Sequence, residues 1–159
     1  MLKSVIQYFW RQKKDRYLYT LGYQDLKLED FVSRLKETNI KTLVDVREVA
    51  WSRKKGFSKS QLEETLRQNR INYIHVRELG SPRELRKKVK ETSDYGSFFE
   101  GYTSYIATRK KELISLLEMV DKTVCCLMCF EKDVETCHRK IVASEVKRID
   151  SNGLRVVHL

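Results

Sequence analysis

A chain of 159 residues with 41% hydrophobic residues has the length of one domain and enough apolar surface to build a core, which excludes a disordered chain. Its 32 Lys and Arg against 22 Asp and Glu leave a net charge of +10, which excludes an acidic solvating chain and points to a phosphate-bearing ligand or nucleic acid as partner. With 1 Pro and 6 Gly the composition is neither collagen-like nor a linker, and no apolar run approaches the ~18 residues of a membrane span, so no membrane partner is expected.

In chain order, residues 1–15 read as a basic N-terminal extension ahead of one α/β domain over 16–159. The apolar stretch 5–10 is short, is interrupted by Gln7 and is followed by no small-residue cleavage pattern, which argues against a secretory signal. Residues 16–21, rich in Tyr and Leu and closed by Gly22, predict a first strand. Leu28, Phe31, Val32 and Leu35 recur at helical spacing and predict an amphipathic helix over 26–37. The β-branched run 42–46 predicts a strand buried on both faces, with Asp45 and Arg47 at its end. Ser58 followed by Gln61 has the capping-box pattern, ahead of a helix carrying Leu62 and Leu66. Residues 71–76 predict a third strand, closed by Leu79, Gly80, Ser81 and Pro82.

Residues 82–120 read as helical, in two stripes. Phe98, Tyr102, Tyr105 and Ile106 form the first, which we assign to the core rather than to base stacking; Leu113, Leu116, Leu117 and Val120 form the second. The apolar run 123–130 predicts a central buried strand. Thr136 then suits the N-cap of a helix over 137–149, ended by Asn152 and Gly153, and 154–159 predicts a last strand. The order β-α-β-α-β-α-α-β-α-β predicts a mostly parallel five-stranded sheet with helices on both faces, a Rossmann-like three-layer α/β fold.

In an open parallel sheet, ligands gather outside the C-terminal strand ends. The candidates there are Gly22 and Tyr23, Asp45 and Arg47, Ser52 and Arg53, Gly80, and Glu131. Thr136 as a cap would place Cys137, His138 and Arg139 in a first helical turn, where the dipole favours an anion and lowers a thiol pKa. Cys137 is then a candidate nucleophile, His138 its acid/base or orienting group, and Arg47, Arg53 and Arg139 are candidate anion clamps. Asp45 and Glu131 are the carboxylates for proton or positioning work. The competing readings are packing and capping for the Cys137 turn and an internal ion pair for Asp45 with Arg47, which share one side of the strand.

All 4 cysteines, Cys125, Cys126, Cys129 and Cys137, fall close together in the chain, which is unlike a disulfide scaffold and suits a reducing cytoplasm. Cys126, Cys129, Cys137 and His138 are ligand types for zinc. On an extended strand Cys126 and Cys129 point to opposite faces, however, and dropping Cys126 leaves fewer ligands than a closed site uses, so no metal or other cofactor is assigned. A Cys129–Cys137 disulfide is a further, redox-dependent alternative. His75 and His158 receive no role. The positive excess is concentrated in residues 1–22, 47–55 and 82–91, and the last of these suits a site wall, a nucleic-acid backbone or a solvated helix face.

At 20–23, 43–47, 52–53, 79–80, 129–131 and 137–139 the chain resembles the domain of unknown function 488 family, over residue 17 to the C-terminus. The specific part is Cys129-x-Glu131 with Cys137-His138-Arg139 ahead of a helix and a final Val-Val-His-Leu strand. The resemblance implies a small cytoplasmic α/β domain of prokaryotic type; it supplies a site and no reaction. Two departures concern loop geometry: Val49-Ala50-Trp51 stands where the family has a Pro before Ser-Arg, and Ser81 where it often has a second Gly. A non-catalytic nucleic-acid-binding module, through the basic segments and Trp51 or Tyr23, and a metal- or redox-sensing Cys-His protein are the alternatives to a strand-end pocket.

Overall fold

A computed structural model describes residues 15–159, so the basic extension expected over 1–15 lies outside the described residues except for Asp15. Five strands, β1 (Tyr17–Gly22), β2 (Thr42–Asp45), β3 (Asn72–His75), β4 (Cys125–Cys129) and β5 (Arg155–His158), form one sheet in the order β3-β2-β4-β1-β5. Every pairing is parallel, with Thr42 opposite Cys125, Gly22 opposite Cys129 and Tyr17 opposite Arg155. The described residues form six α-helices: α1 (Leu28–Glu37), α2 (Lys59–Gln68), α3 (Arg83–Thr92), α4 (Tyr95–Ile106), α5 (Lys110–Lys122) and α6 (Arg139–Ile149).

The alternation of side chains along a strand divides the core in two. Cys126 and Met128 of β4 join Leu21, Leu43 and the stripe Phe31, Val32, Leu35 of α1 and Leu62, Leu66 of α2 on one face. Cys125, Leu127 and Cys129 face the other way, against Tyr102 and Ile106 of α4, Leu113 and Leu116 of α5, and Val142 and Val146 of α6. The aromatic stripe is core, as expected: Phe98 is 6% exposed and Tyr102 and Ile106 are fully buried. None of the described helices is long and apolar enough to cross a membrane.

Three local expectations are corrected. The segment between β3 and β4 holds three helices rather than two, because Ser93 takes a left-handed conformation (φ 56°) that ends α3 and the Asp94 carboxylate accepts the Ser97 N–H at 3.0 Å to start α4. Ser58 precedes α2, but its hydroxyl bonds the Ser52 backbone at 3.1 and 3.2 Å, and Gln61 accepts from the Gly56 N–H instead of closing the box. Residues Val134–Thr136 form a 3-10 turn capped by Asp133, so Thr136 caps no helix and α6 starts only at Arg139.

The chain runs outward from β1 through β2 to β3, then returns to insert β4 between β2 and β1 before ending at β5. Crossovers in the first direction put α1 and α2 on one face, and those in the second put α4, α5 and α6 on the other. The loops leaving β2 and β1 therefore diverge from the loop leaving β4, and a crevice opens at the C-terminal end of β4.

Candidate functional site

A cleft of about 710 Å³ occupies that crevice. The loop after β2 supplies Glu48, Val49, Trp51, Ser52, Arg53 and Lys54 to one wall. Arg86, Val89 and Lys90 of α3 with Tyr95 and Phe98 of α4 form the opposite wall. Its floor is Cys129, Glu131 and His138, with Tyr23, Phe130 and Ser81 at the sides. Exposed apolar groups gather here: Trp51 is 63% exposed, Val49 57%, Phe130 42% and Tyr95 41%. Arg86 is paired with Glu48 at 2.6 Å, whereas Arg53, Lys54 and Lys90 have no carboxylate partner among the described residues.

Asp45 and Arg47 form a buried ion pair, Nη2 to Oδ2 at 2.6 Å, with Nε donating to Oδ1 at 2.9 Å. Arg47 Nη1 also donates to the Tyr23 hydroxyl and the Phe57 carbonyl, both at 2.9 Å, and the Tyr73 hydroxyl donates to Asp45 at 2.6 Å. Burial works against the Arg47 charge, but the Asp45 carboxylate outweighs it and holds the guanidinium charged. Arg47 reaches the cleft only as the edge of this network, and Asp45 lies behind it, outside the lining. The internal ion pair is thus the reading that geometry favours over an anion clamp. Tyr23, stacked on Phe57 with centroids 4.3 Å apart, stands in the wall as part of the same assembly.

Arg139 is the clearest departure from a clamp. It is 1% exposed and donates to the Thr20 hydroxyl at 3.2 Å, to the Glu131 carbonyl, and to the Lys132 carbonyl at 3.0 Å. The guanidinium satisfies the turn that leaves β4 and does not line the cleft. Gly22 and Gly80 also lie outside the lining and serve close approach: a Cβ on Gly22 would sit 1.7 Å from the Glu131 carbonyl oxygen, and one on Gly80 2.2 Å from the Glu48 nitrogen. Ser52 lines the cleft, but its hydroxyl accepts from Lys54 N–H at 3.1 Å and so shapes the loop that presents Arg53 and Lys54.

Beneath the floor, Cys129, Cys137 and His138 converge, with their sulfur and nitrogen atoms within 4.8 Å of one another and every residue buried. Cys137 does not occupy a helical turn: its backbone is extended (φ −119°, ψ 136°), and burial, reinforced by the neighbouring Cys129, pushes its thiol well above the ordinary range. Cys137 thus precedes the helix and does not sit in the first helical turn expected of it. His138 Nε2 lies 2.7 Å from the Val46 carbonyl oxygen, which can only accept, so Nε2 carries the proton and Nδ1 faces the sulfurs, 3.8 Å from Cys129 Sγ. Cys129 Sγ also lies 3.3 Å from Glu131 Oε2. Cys126 points into the opposite core, as the strand alternation predicted.

Several cleft residues are not among the strand-end candidates, although Trp51 and the basic segment 82–91 carry a signal of their own. Ser81 is 1% exposed, and its hydroxyl has no hydrogen-bond partner among the described residues. Lys90 and Tyr95 come together only because α3 and α4 meet across the Ser93–Asp94 break, and Phe130 and Trp51 come from different strand ends. Tyr73 could have been found, since it alternates with His75 along the strand beside β2.

The family described as Domain of unknown function DUF488 matches residues 27–146, from the start of α1 through most of α6. The likeness at residues 20–23 and in the terminal strand falls outside that span. No curated protein and no solved structure matches the chain.

Proposed function

The chain belongs to the family described as Domain of unknown function DUF488, and from its cleft we propose that it binds a phosphate-bearing ligand with an aromatic base, a nucleotide or the terminal nucleotide of a nucleic-acid strand. The observation that carries this reading is the pairing, in one cleft, of exposed Trp51 and Phe130 with Arg53, Lys54 and Lys90, cations not neutralised by any described carboxylate. Rings offer a face for a base, and guanidinium and ammonium groups suit phosphate oxygens. The cleft volume of about 710 Å³ lies in the range of small-molecule sites.

The test is a fluorescence titration of a Trp10→Phe protein, in which Trp51 is the remaining tryptophan, with nucleoside monophosphates, inorganic phosphate and short single-stranded RNA. Quenching by mononucleotides, weakened about tenfold or more by Arg53→Ala or Lys54→Ala (about 1.4 kcal/mol), is the expected result. Equal binding by those variants would overturn the proposal. Binding of polynucleotide alone, with a steep salt slope and indifference to Arg53→Ala and Lys54→Ala, would replace it with a backbone-binding module.

A further inference from the structure

We infer that Cys129, Cys137 and His138 form a mononuclear site for a divalent ion of borderline softness, zinc by its chemistry, with a fourth coordination position open to the cleft. Two thiolates and an imidazole are a ligand set used by zinc sites that keep one position for water or substrate. Ligand atoms around a tetrahedral zinc lie roughly 3.5–3.8 Å apart, given metal–sulfur and metal–nitrogen distances of about 2.3 and 2.0 Å. Cys129 Sγ and His138 Nδ1 already stand 3.8 Å apart, and the three ligand atoms all fall within 4.8 Å. Closing the set needs movements of about an ångström in two thiol rotors.

A second observation points the same way and is independent of the clustering. His138 donates Nε2–H to the Val46 carbonyl at 2.7 Å. A metal-ligating histidine commonly fixes its tautomer through such a bond on the far nitrogen, which leaves the other lone pair for the ion. Here the bond comes from the end of β2, while the thiols come from β4 and from the turn before α6. Three separate chain segments thus hold the imidazole with its lone pair directed at two sulfurs. The Tyr102 ring packs edge-on against the imidazole at 5.1 Å between centroids and restrains its rotation.

The site's open side follows from its surroundings. Cys129 and His138 line the cleft floor, while Cys137 is absent from the lining. Glu131 reaches Cys129 but is outside the mutual cluster, so it is not counted in the three-ligand set. Binding of a divalent ion exchanges the two thiol protons for two sulfur–metal bonds, with no change in oxidation state. Occupation of this site by an ion requires no bound nucleotide.

The experiment is titration of the reduced full-length protein with Co²⁺, a spectroscopic substitute for zinc, followed by displacement with Zn²⁺. One equivalent of Co²⁺ is expected, with a near-ultraviolet charge-transfer band of the strength given by two thiolates and visible bands of a tetrahedral ion. Zn²⁺ should abolish both. Cys137→Ser is expected to halve the charge-transfer band and His138→Gln to weaken uptake at least tenfold, while Cys126→Ala, altering the cysteine in the opposite core, leaves both unchanged. A reduced wild-type protein that takes up no Co²⁺ would overturn the inference, and so would octahedral spectra lacking thiolate bands. Cobalt bands unaltered in both cluster variants, or a Cys129–Cys137 disulfide with no uptake after its reduction, would overturn it as well. Because the wild-type spectrum is read first, a variant that fails to fold does not shield the idea, and loss of nucleotide binding with cobalt uptake intact separates this site from the proposed ligand reading.

Discussion

At the scale of single residues, the strongest commitments are buried charges whose partners are spent on one another. Asp45 is fully buried against Arg47, so Asp45→Asn leaves a guanidinium desolvated without its counter-charge. Removing one member of a buried pair costs about 3–5 kcal/mol, and that is the loss expected in urea unfolding. The double variant Asp45→Asn/Arg47→Met should recover more than half of it, because the uncompensated charge is gone. A double variant as unstable as the sum of the singles would show that the two residues act separately. A milder case is His158, whose Nδ1 accepts from the Thr20 hydroxyl at 2.7 Å, the same hydroxyl that receives Arg139 Nε. Burial first, and then the Arg139 guanidinium, hold His158 below the ordinary imidazole value of 6.5. Its folded form thus binds a proton less readily than its unfolded form, so its contribution is present above pH 6.5 and is lost as the pH falls through the folded value. The difference in unfolding free energy between wild type and His158→Gln should shrink as the pH drops below 6.5, and a flat difference would discount the group.

At the scale of elements, α3 stands apart: it buries no residue and packs chiefly against α4, yet it carries Arg86, Val89 and Lys90 into the cleft wall. Few buried contacts imply low local stability, so its amides should exchange with deuterium faster than those of α6, which buries Val142, Ala143 and Val146. Ser93→Gly relieves the left-handed conformation at the end of α3 and should raise stability by about 0.5–1 kcal/mol in thermal or urea unfolding. Elements of this kind explain what was legible in the sequence. The five strands and the stripes of α1, α2, α5 and α6 were readable because alternation and helical spacing are local signals, and Leu28 to Leu35 state a face without help from the rest of the chain. The break at Ser93 is hidden because residues 83–92 before it are mostly charged and offer only Leu85 and Val89, too few to show where one apolar stripe ends and the stripe from Phe98 begins. The turn before α6 failed for a different reason. Thr136 and Asp133 both cap well, and what separates them is Arg139, whose guanidinium donates to the Glu131 and Lys132 carbonyls of the β4 loop and to the hydroxyl of Thr20, remote in the chain. No local pattern encodes that last contact. The strand-end cluster was legible as a set of residue types, whereas the division of labour within it, with Arg139 holding the loop and Arg53 free in the cleft, depends on contacts over more than a hundred residues.

At the scale of the whole molecule, the return of β4 between β2 and β1 makes the cleft a joint between the two helical layers, since its walls come from the β2 loop on one side and α3 and α4 on the other. Two of the three positively charged stretches of the chain, around residues 47–55 and 82–91, border it, so more than half of the net charge of +10 falls in segments beside the cleft. A ligand that bridges the walls binds the folded state alone and raises its stability by mass action. At a hundred times Kd the gain is about 2.7 kcal/mol, which for a domain of this size corresponds to a rise of roughly 5–10 °C in Tm. The two arginines nearest the question should then separate. Arg53→Ala is expected to melt like the wild type without ligand and to lose most of the nucleotide-dependent rise. Arg139→Ala should melt several degrees lower with or without ligand, because it strips the β4 loop carbonyls of their donor while leaving the cleft cations in place. If Arg139→Ala instead kept its stability and lost the ligand response, the guanidinium would be a clamp after all, and the assignment of anion contact to Arg53, Lys54 and Lys90 would fall.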